Sequence, residues 1–297
     1  MKKKRLFFQL AFGATLFVLL GILINNLIVN LIRADLNLSL YWLFEPSGFE
    51  IAEHSVNYSP SDSNAWALFT GWINSIKVIL LGLICSTIIG TVAGIASVSN
   101  NIILRSASKI YITLIRQIPL LIQLFFWYFV SFLNLSSTET NILGYTLSIT
   151  NSGMQILGVK LSLEYSALLV GLSVYTSASI SEIIRGGLDS VKKSQWEAFR
   201  SLGIADKIGI RKIIIPQSLP AILPGLTGQY LNLAKNSTLA IAIGYTDIYA
   251  ASDTIISETG RAIEVFAILM ISFFSLNILI TTSMEILNRI AVRNTYQ

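Results

Sequence analysis

Side chains capable of nucleophilic, acid–base or metal chemistry are scarce in this chain. There is one cysteine, Cys85, and one histidine, His54. Cys85 lies in an apolar run, where a free thiol packs as a small hydrophobic group. A single histidine excludes a His-rich metal site, and the sequence has neither a phosphate-binding loop nor a Gly-x-Ser-x-Gly partner for a Ser-His-Asp triad. We therefore predict no catalytic residues, no metal site and no cofactor, and we do not expect the chain to be an enzyme.

The segment from 186 to 216 carries the most informative pattern. Its apolar side chains recur at roughly helical spacing and predict a short amphipathic helix with an exposed face: Val191, Trp196, Phe199 and Leu202. Gly203 suits the left-handed conformation that ends a helix, and Asp206 suits the N-cap of a second helix. Pro216, Pro220 and Pro224 follow at a spacing that is expected to prevent a regular helix. An alternative is a helix that lies on lipid headgroups.

The composition identifies the solvent around these elements. Apolar residues make up 53% of the 297, charged residues only 12%, and the mean hydropathy is +0.67. Soluble domains carry about 25% charged residues, so this chain has too few to cover a water-facing surface. We predict an integral membrane protein in contact with the lipid bilayer. Its net charge of +5 then reflects topology and not nucleic-acid binding.

Six apolar stretches are long enough to cross a bilayer core, which takes about 20 helical residues. They are Leu10 to Ile32, Ala67 to Val98, Ile110 to Leu133, Tyr165 to Ile184, Ala221 to Gly244 and Ala262 to Leu287. Within the second stretch, Gly90 and Gly94 form a GxxxG pattern that predicts a helix contact. Lys77, near its outer end, is expected to snorkel to the headgroups.

The charges of the connecting segments alternate along the chain. Basic residues precede the first stretch, follow the second and fourth, and end the chain, whereas acidic residues dominate the other loops. The positive-inside rule therefore places both termini in the cytoplasm. The first stretch is predicted to be an uncleaved anchor. A cleaved signal peptide is the alternative, but the apolar run is too long for one.

Four ordered motifs resemble ABC-importer permeases. Glu197-Ala198, then Gly203, then Ile215-Pro216 are similar to the EAA motif of that family. Three further runs resemble the polar amino-acid branch of the family, which includes the general L-amino-acid and histidine/glutamine permeases. These are Tyr175 to Gly187, Arg116 to Tyr128 and Ala234 to Gly244. The departures are Phe199, in place of the second alanine of the motif, and Ser194, where the family usually has glycine.

This resemblance implies an all-α, polytopic transmembrane bundle of the type I ABC importer class, in a bacterial inner membrane. It implies an anchor and acidic outer loop over 1–68 and a permease domain over 69–290. The chain would translocate amino acids and would contact an ATPase dimer that binds ATP-Mg, a second permease that is identical or homologous, and an extracytoplasmic amino-acid-binding protein. The residues expected to couple to the ATPase are Trp196, Glu197, Ala198, Phe199, Leu202, Gly203 and Pro216.

Polar residues inside the apolar stretches are candidates for a substrate pathway. Lys235 lies mid-way along the fifth stretch, where a cation is costly and normally faces the bundle interior or a cavity. It is predicted either to hold a substrate carboxylate or to pair internally with Glu182 or Asn236. The pathway prediction comprises Arg116, Gln123, Glu182, Lys235, Asn236 and Ser237.

An ion-coupled secondary transporter of small polar solutes is the alternative function. Such transporters often contain inverted repeats and ion sites near the membrane midplane. The sequence shows no internal repeat, and Glu182 is its only plausible intramembrane carboxylate. The motifs therefore favour the ABC permease.

Overall fold

The computed structural model describes residues 2–33, 38–134, 138–142, 145–156 and 159–295. Contacts divide the chain into two compact units, Met1–Trp42 and Leu43–Gln297. The smaller unit contains helix α1 (Lys2–Arg33), in which most of the apolar side chains from Leu10 to Ile32 that the structure describes are exposed. The predicted division after residue 68 stays a prediction. By contacts, residues 43–63 go with the larger unit.

The larger unit is mainly a bundle of helices, which confirms the predicted helical class. A 3₁₀ turn, Tyr41–Phe44, precedes it and spans the boundary between the units. The helices are α2 (Asn64–Ser97), α3 (Ile102–Gln117), α4 (Leu120–Phe125, continued as a π-helix over Phe126–Phe132), α5 (Leu163–Asp189), α6 (Lys193–Ser201), α7 (Asp206–Gly209, continued as a π-helix over Ile210–Ile214), α8 (Ile215–Asn236, continued as a 3₁₀ helix over Ser237–Ile243), α9 (Ile248–Thr259) and α10 (Ala262–Thr295).

Four helices in the described part of the chain are long and apolar enough to cross a membrane. They are Gln9–Arg33, Asn64–Ser97, Leu163–Asp189 and Ala262–Ala291. The bent pair Ile102–Gln117 and Leu120–Phe132 makes a fifth if it counts as one span. The predicted stretch Ala221 to Gly244 falls on α8 and its 3₁₀ extension, which are not among these helices. The predicted count of six is therefore not confirmed.

The predicted third span is not one continuous helix. α3 ends at Gln117, and α4 leaves it at an angle of 104°. Pro119 cannot donate a backbone hydrogen bond, and it forces the residue before it out of helical conformation. Ile118 is accordingly extended, with φ −97° and ψ 125°.

The prolines after the amphipathic segment do not prevent a regular helix, so that prediction was wrong. α8 runs without interruption from Ile215 through Pro220 and Pro224. Pro216 lies in the first turn of α8, directly after the π-helix that ends at Ile214, so the missing donor falls where the helix is already irregular. Because the three prolines are four residues apart, their missing donors lie along one side of α8. The buried residues of this stretch, Ser218, Ile222 and Leu223, occupy other positions.

Small residues bring α2 and α5 into close contact, as the GxxxG pattern predicted. A Cβ atom on Gly90 would lie 2.6 Å from the side chain of Ile180 and 2.9 Å from the carbonyl of Ser177. One on Gly94 would lie 2.8 Å from Ile184. Glycine is therefore required at both positions for the two helices to approach this closely.

A small sheet interrupts the helical chain, and the all-α class missed it. Its strands β1 (Thr138–Ile142), β2 (Tyr145–Thr150), β3 (Gly153–Ile156) and β4 (Val159–Leu161) pair antiparallel in sequence order. The signal was present in β2, because apolar Tyr145, Leu147 and Ile149 alternate there with hydroxyl residues before an Asn-Ser-Gly turn. The backbone N–H of Met154 donates to Ser166 Oγ at 3.0 Å, which fixes the sheet to α5.

The two ends of the larger unit differ in charge. The acidic end carries the sheet, α9 and residues 43–63, with Glu45, Glu50, Asp253 and Glu258 exposed. The basic end carries the α2–α3 turn and the segment from α6 to α7, with exposed basic residues that include Lys192, Lys193, Arg200, Lys207, Arg211 and Lys212.

Candidate functional site

Helix α6 lies at the basic end and contains most of the predicted coupling residues. It ends as the sequence predicted, with Gly203 in the left-handed conformation at φ +71°. The Gly203 N–H donates to the Arg200 carbonyl at 2.9 Å, and the Ile204 N–H donates to the Phe199 carbonyl at 3.1 Å. This pair of bonds is the Schellman motif. It reverses the chain sharply and fixes the direction of the segment that follows.

The predicted exposed Trp/Phe/Leu face of α6 was wrong in part. Phe199 is only 1% exposed and belongs to a core cluster with Leu188, Val191 and Ile214. Trp196 is half-buried beside it, with ring centroids 6.0 Å apart. Trp196 and Phe199 are three residues apart and share the helix face that is turned toward the bundle.

The solvent-facing side of α6 is formed by other residues. Glu197 and Ala198 are exposed, and Leu202, beyond the end of the helix, is 77% exposed. Gly203 is also exposed, and a Cβ atom there would meet nothing within 4 Å. Pro216 lies apart from this group, half-buried in the first turn of α8. The structure thus presents a small surface of Glu197, Ala198, Leu202 and Gly203, anchored from behind by Phe199.

Gly209 makes room for the Phe199 ring. A Cβ atom at Gly209 would overlap the ring carbons Cδ2 and Cε2. The phenylalanine that departs from the EAA pattern is therefore a buried anchor matched by a glycine in α7.

Phe199→Ala is expected to destabilise the basic end by about 3–5 kcal/mol, the usual loss for a buried phenylalanine. Gly209→Ala should also destabilise it, because the ring must move. In Phe199→Ala/Gly209→Ala the new methyl group occupies part of the cavity, so the double variant should lose less than the sum of the single variants. The measurement is the apparent thermal midpoint of the purified protein in detergent. Strictly additive losses would contradict the predicted contact.

Asp206 links three elements of the basic end but is not the N-cap that the sequence predicted. Ala205 holds the cap position of α7 without a side-chain bond. The Asp206 carboxylate instead accepts from Arg200 Nε at 3.0 Å and from Asn100 Nδ2 at 3.0 Å. The guanidinium of Arg200 also lies over the Trp196 and Phe199 rings, 5.5 and 5.6 Å from their centroids. α6 is thereby tied to the α2–α3 turn.

The structure does not contain the predicted pair between Lys235 and Glu182. The Glu182 carboxylate accepts from Arg185 Nη2 at 2.8 Å, three residues away on the same helix. Arg116 is exposed in the last turn of α3. Lys235 is exposed and forms no ion pair with any acidic side chain in the described ranges. Glu182 is paired locally with Arg185, and the i, i+3 spacing of these two residues in one helix was a sequence signal for this pair.

The other pathway candidates take part in local hydrogen bonds. Gln123 is buried, and its Nε2 donates to the carbonyls of Ile115 and Ile118 at 2.8 and 2.9 Å. The Gln123 side chain thus supplies donors to backbone carbonyls that the end of α3 leaves without helical partners. Ser237 is buried where α8 becomes 3₁₀, and its hydroxyl donates to the Ala234 carbonyl at 2.9 Å. Asn236, directly before it, is half-buried.

A family model described as "Binding-protein-dependent transport system inner membrane component" matches residues 86–291, more than half of the chain. The chain belongs to this family. It is therefore a transport component of a membrane, and the ion-coupled secondary-transporter alternative is not supported.

Relatives match this transport component over nearly its whole length. A putative amino-acid ABC transporter permease protein of Escherichia coli strain K12, YhdX, is 30% identical and covers 95% of this chain and 92% of its own. The general L-amino acid transport system permease protein AapQ of Rhizobium johnstonii is 28% identical and covers 97% of this chain and 92% of its own.

Solved structures share the fold. The crystal structure of an amino acid ABC transporter with histidines aligns with a TM-score of 0.59 and 25% identity, over 76% of this chain and 94% of that one. An inward-facing MetNI methionine ABC transporter aligns with a TM-score of 0.58 and 19% identity, over 76% and 97%. The transport component therefore has the type I ABC importer permease fold.

The acidic end of the transport component contains a buried carboxylate that the sequence analysis missed. Asp247 is the N-cap of α9, and its Oδ1 accepts from the Ala250 N–H at 2.9 Å. Burial raises the pKa of the Asp247 carboxyl from 3.8 to about 7, although backbone hydrogen bonds from Ala250 and Tyr249 oppose the shift. The sequence signal for this site was an aspartate directly before a helical pattern.

Asp247→Asn is expected to raise thermal stability at pH 8 and to change it little at pH 4. The folded carboxyl keeps its proton up to about pH 7, whereas the unfolded one ionises near 3.8. Stability is therefore fully present below pH 3.8 and falls as the pH rises through this window, by about 4 kcal/mol at about 1.36 kcal/mol per pKa unit. Asparagine keeps the cap without ionising.

The measurement is the apparent thermal midpoint at both pH values. Asp253→Asn, on the exposed side of α9, serves as the control and should have no pH-dependent effect. Equal changes for Asp247→Asn at the two pH values would contradict the assigned titration.

Proposed function

We propose that this chain is the permease subunit of an ATP-driven importer for amino acids, coupled to a separate ATPase through α6. The observation that carries the proposal is the anchored surface of Glu197, Ala198, Leu202 and Gly203. Helix α6 is exposed on one side and is held on the other by Phe199 and the Arg200–Asp206 pair. It can therefore transmit a movement of the ATPase to the bundle as a rigid element. The substrate class is supported by two relatives, a putative amino-acid ABC transporter permease and a general L-amino acid permease.

The charges of the two ends indicate how the permease is oriented in the membrane, and the orientation indicates which end each partner meets. The basic end faces the cytoplasm, as the positive-inside rule requires, and there α6 meets an ATPase dimer that binds ATP-Mg. The acidic end faces outward and receives solute from a binding protein. Both termini are cytoplasmic in this arrangement.

A second permease, identical or related, covers the exposed part of α8. Lys235 is exposed in the isolated chain, in a stretch from 221 to 244 that is largely apolar apart from the residues next to the lysine. A charge there is costly against lipid but acceptable when it lines a cavity between protein subunits. The pathway proposed from the sequence then runs along this side of α8, past Lys235, Asn236 and Ser237.

The direct test is uptake of labelled amino acids by the reconstituted complex of permease, ATPase and binding protein, with and without ATP. We expect accumulation that requires ATP and the binding protein. Uptake that follows an ion gradient without ATP would refute the proposal. A mixture of amino acids of different charge, counted separately, identifies the substrate class in the same experiment.

Lys235→Met is expected to lower uptake by about tenfold, the factor that corresponds to about 1.4 kcal/mol of lost carboxylate binding. Methionine keeps most of the length and the apolar stem but removes the charge. Protein abundance should stay normal, because Glu182 is paired with Arg185 and is not left alone by the change. Uptake rate and abundance are measured together.

Lys160→Met is the matched control, since Lys160 is exposed on β4. It should leave uptake unchanged. Full uptake in Lys235→Met would remove Lys235 from the pathway.

A further inference from the structure

The acidic end carries an ordered loop, residues 43–63, which we name the strap. Its base is closed by backbone hydrogen bonds from Asn64 to Glu45 at 2.9 Å and from Ser47 to Asp62 at 2.8 Å. Inside it, the Tyr58 hydroxyl donates to the Phe49 carbonyl at 2.7 Å. These bonds make the strap a compact loop whose two ends lie together, so that its middle is presented as a unit.

The middle of the strap is bound to two helices through one residue, Glu53. Its carboxylate pairs with Lys77 Nζ of α2 at 2.7 Å and accepts a hydrogen bond from the hydroxyl of Ser162, the N-cap of α5. Its backbone carbonyl accepts from Asn74 Nδ2 of α2 at 2.7 Å. The sequence predicted that Lys77 snorkels to the headgroups, and this prediction was wrong. Lys77 instead forms a half-buried ion pair with Glu53.

Asn74, which bonds the Glu53 carbonyl, also contacts the segment that leads into α9. Asn74 Nδ2 also donates to the Thr246 carbonyl at 2.9 Å, and the Tyr245 hydroxyl donates to the Asn74 carbonyl at 3.3 Å. Lys77 Nζ lies 4.5 Å from the centroid of the buried Tyr165 ring of α5. Glu53 thus sits where α2, α5 and the segment after the proposed pathway residues converge.

α2 and α5 are held together differently along their lengths. Toward the basic end they interlock through Gly90 and Gly94, a contact of side chains against backbone. At the acidic end, Glu53 bridges them with polar bonds from a third segment. Polar bonds to a loop can break without repacking a core, whereas the glycine contact cannot.

We propose that Glu53 is a latch that keeps the acidic end of the permease closed, and that it must release α2 and α5 before solute enters from outside. Glu53 is a positioning residue, because it holds the helices and touches no solute. The inference rests on the proposed function for its direction of transport, but the latch itself is a property of this chain.

The test uses cysteine reporters in a Cys85→Ser background, in the purified complex in nanodiscs, where a hydrophilic maleimide reaches both faces. Ser166→Cys reports on the latch, because Ser166 is fully buried one turn into α5 from Ser162. Ser218→Cys, equally buried at the start of α8 near the basic end, reports on general loosening. Only a local opening exposes the first without the second.

Glu53→Gln and Lys77→Gln should each raise the labelling rate of Ser166→Cys by about tenfold, since protection follows the population of the open state. Ser218→Cys should label at its original rate. The exchange Glu53→Lys/Lys77→Glu should bring back part of the protection, because the ion pair is re-formed but the bond from Ser162 to a carboxylate and the contact of a cation with the Tyr165 ring are not. Glu50→Gln, an exposed glutamate of the same strap, should change nothing.

Unchanged labelling of Ser166→Cys in Glu53→Gln would overturn the latch, and so would equal increases at both reporters. If the Glu53→Gln protein does not accumulate, Ser162→Gly takes its place in the labelling test and should raise the labelling of Ser166→Cys. Glycine keeps an acceptable N-cap but removes the hydroxyl that bonds Glu53. The labelling needs neither ATP nor solute. A complex that fails to take up amino acids but shows the expected labelling refutes the proposed function and leaves the latch in place.

Discussion

Gly203→Pro is expected to abolish ATP-driven uptake while the protein still inserts in the membrane. Proline requires φ near −65°, whereas residue 203 adopts +71°. The change also removes the N–H that bonds the Arg200 carbonyl at 2.9 Å. The chain then leaves α6 in another direction, and the surface of Glu197, Ala198, Leu202 and Gly203 is lost. We expect uptake to fall at least about a hundredfold, because a proline in an incompatible conformation costs about 3 kcal/mol or more.

The measurements are uptake, protein abundance and co-purification of the ATPase. Gly203→Asn is the matched control, because asparagine tolerates the left-handed conformation and a side chain there meets nothing within 4 Å. It should retain most of the uptake. Glu197→Lys reverses one exposed charge without disturbing the turn and should also lower ATPase association. Normal uptake in both Gly203→Pro and Glu197→Lys would rule out α6 as the coupling element.

Gly90→Ala/Gly94→Ala is expected to prevent stable assembly of the bundle. Each new methyl group would lie under 3.0 Å from an isoleucine of α5, and at Gly90 also 2.9 Å from the Ser177 carbonyl. Backbone cannot give way as a flexible side chain can, so α2 and α5 must separate. Overpacking costs about 1–3 kcal/mol per site, so the two sites together cost about 2–6 kcal/mol. The upper part of this loss reaches the lower end of native stabilities, which are about 5–15 kcal/mol.

The measurement is the amount of monodisperse protein extracted from membranes, together with its thermal midpoint. Gly186→Ala supplies the control within α5, because a Cβ atom at Gly186 meets nothing within 4 Å. In a helix, alanine is favoured over glycine by about 1 kcal/mol, so this variant should be at least as stable as the original chain. Equal behaviour of the control and the double variant would show that the α2–α5 contact tolerates side chains.

Some features of the bundle were predictable because they depend on local pattern. Long apolar runs identify four of the spanning helices without any tertiary information. Gly203 was recognisable because a glycine after an amphipathic turn has a specific conformational role. Gly90 and Gly94 were recognisable because small residues four apart in an apolar run bring helices together.

Other features depend on partners that are distant in sequence, and these were not predictable. Phe199 has the same local pattern whether it faces the core or solvent, and only the position of α7 decides. Lys77 finds its partner, Glu53, 24 residues away. Glu182 is a different case, because its partner Arg185 lies only three residues away on the same helix and could have been predicted from that spacing.

The contact between Phe199 and Gly209 has a consequence for the evolution of this family. A ring at 199 fits only if 209 has no side chain, so the two positions should vary together among relatives. Where 199 is alanine, as in the common form of the motif, a larger residue at 209 becomes admissible. Substitutions at positions 199 and 209 would leave the exposed Glu197 and Ala198 unchanged. Permeases whose interiors have diverged could then still dock with the same ATPase.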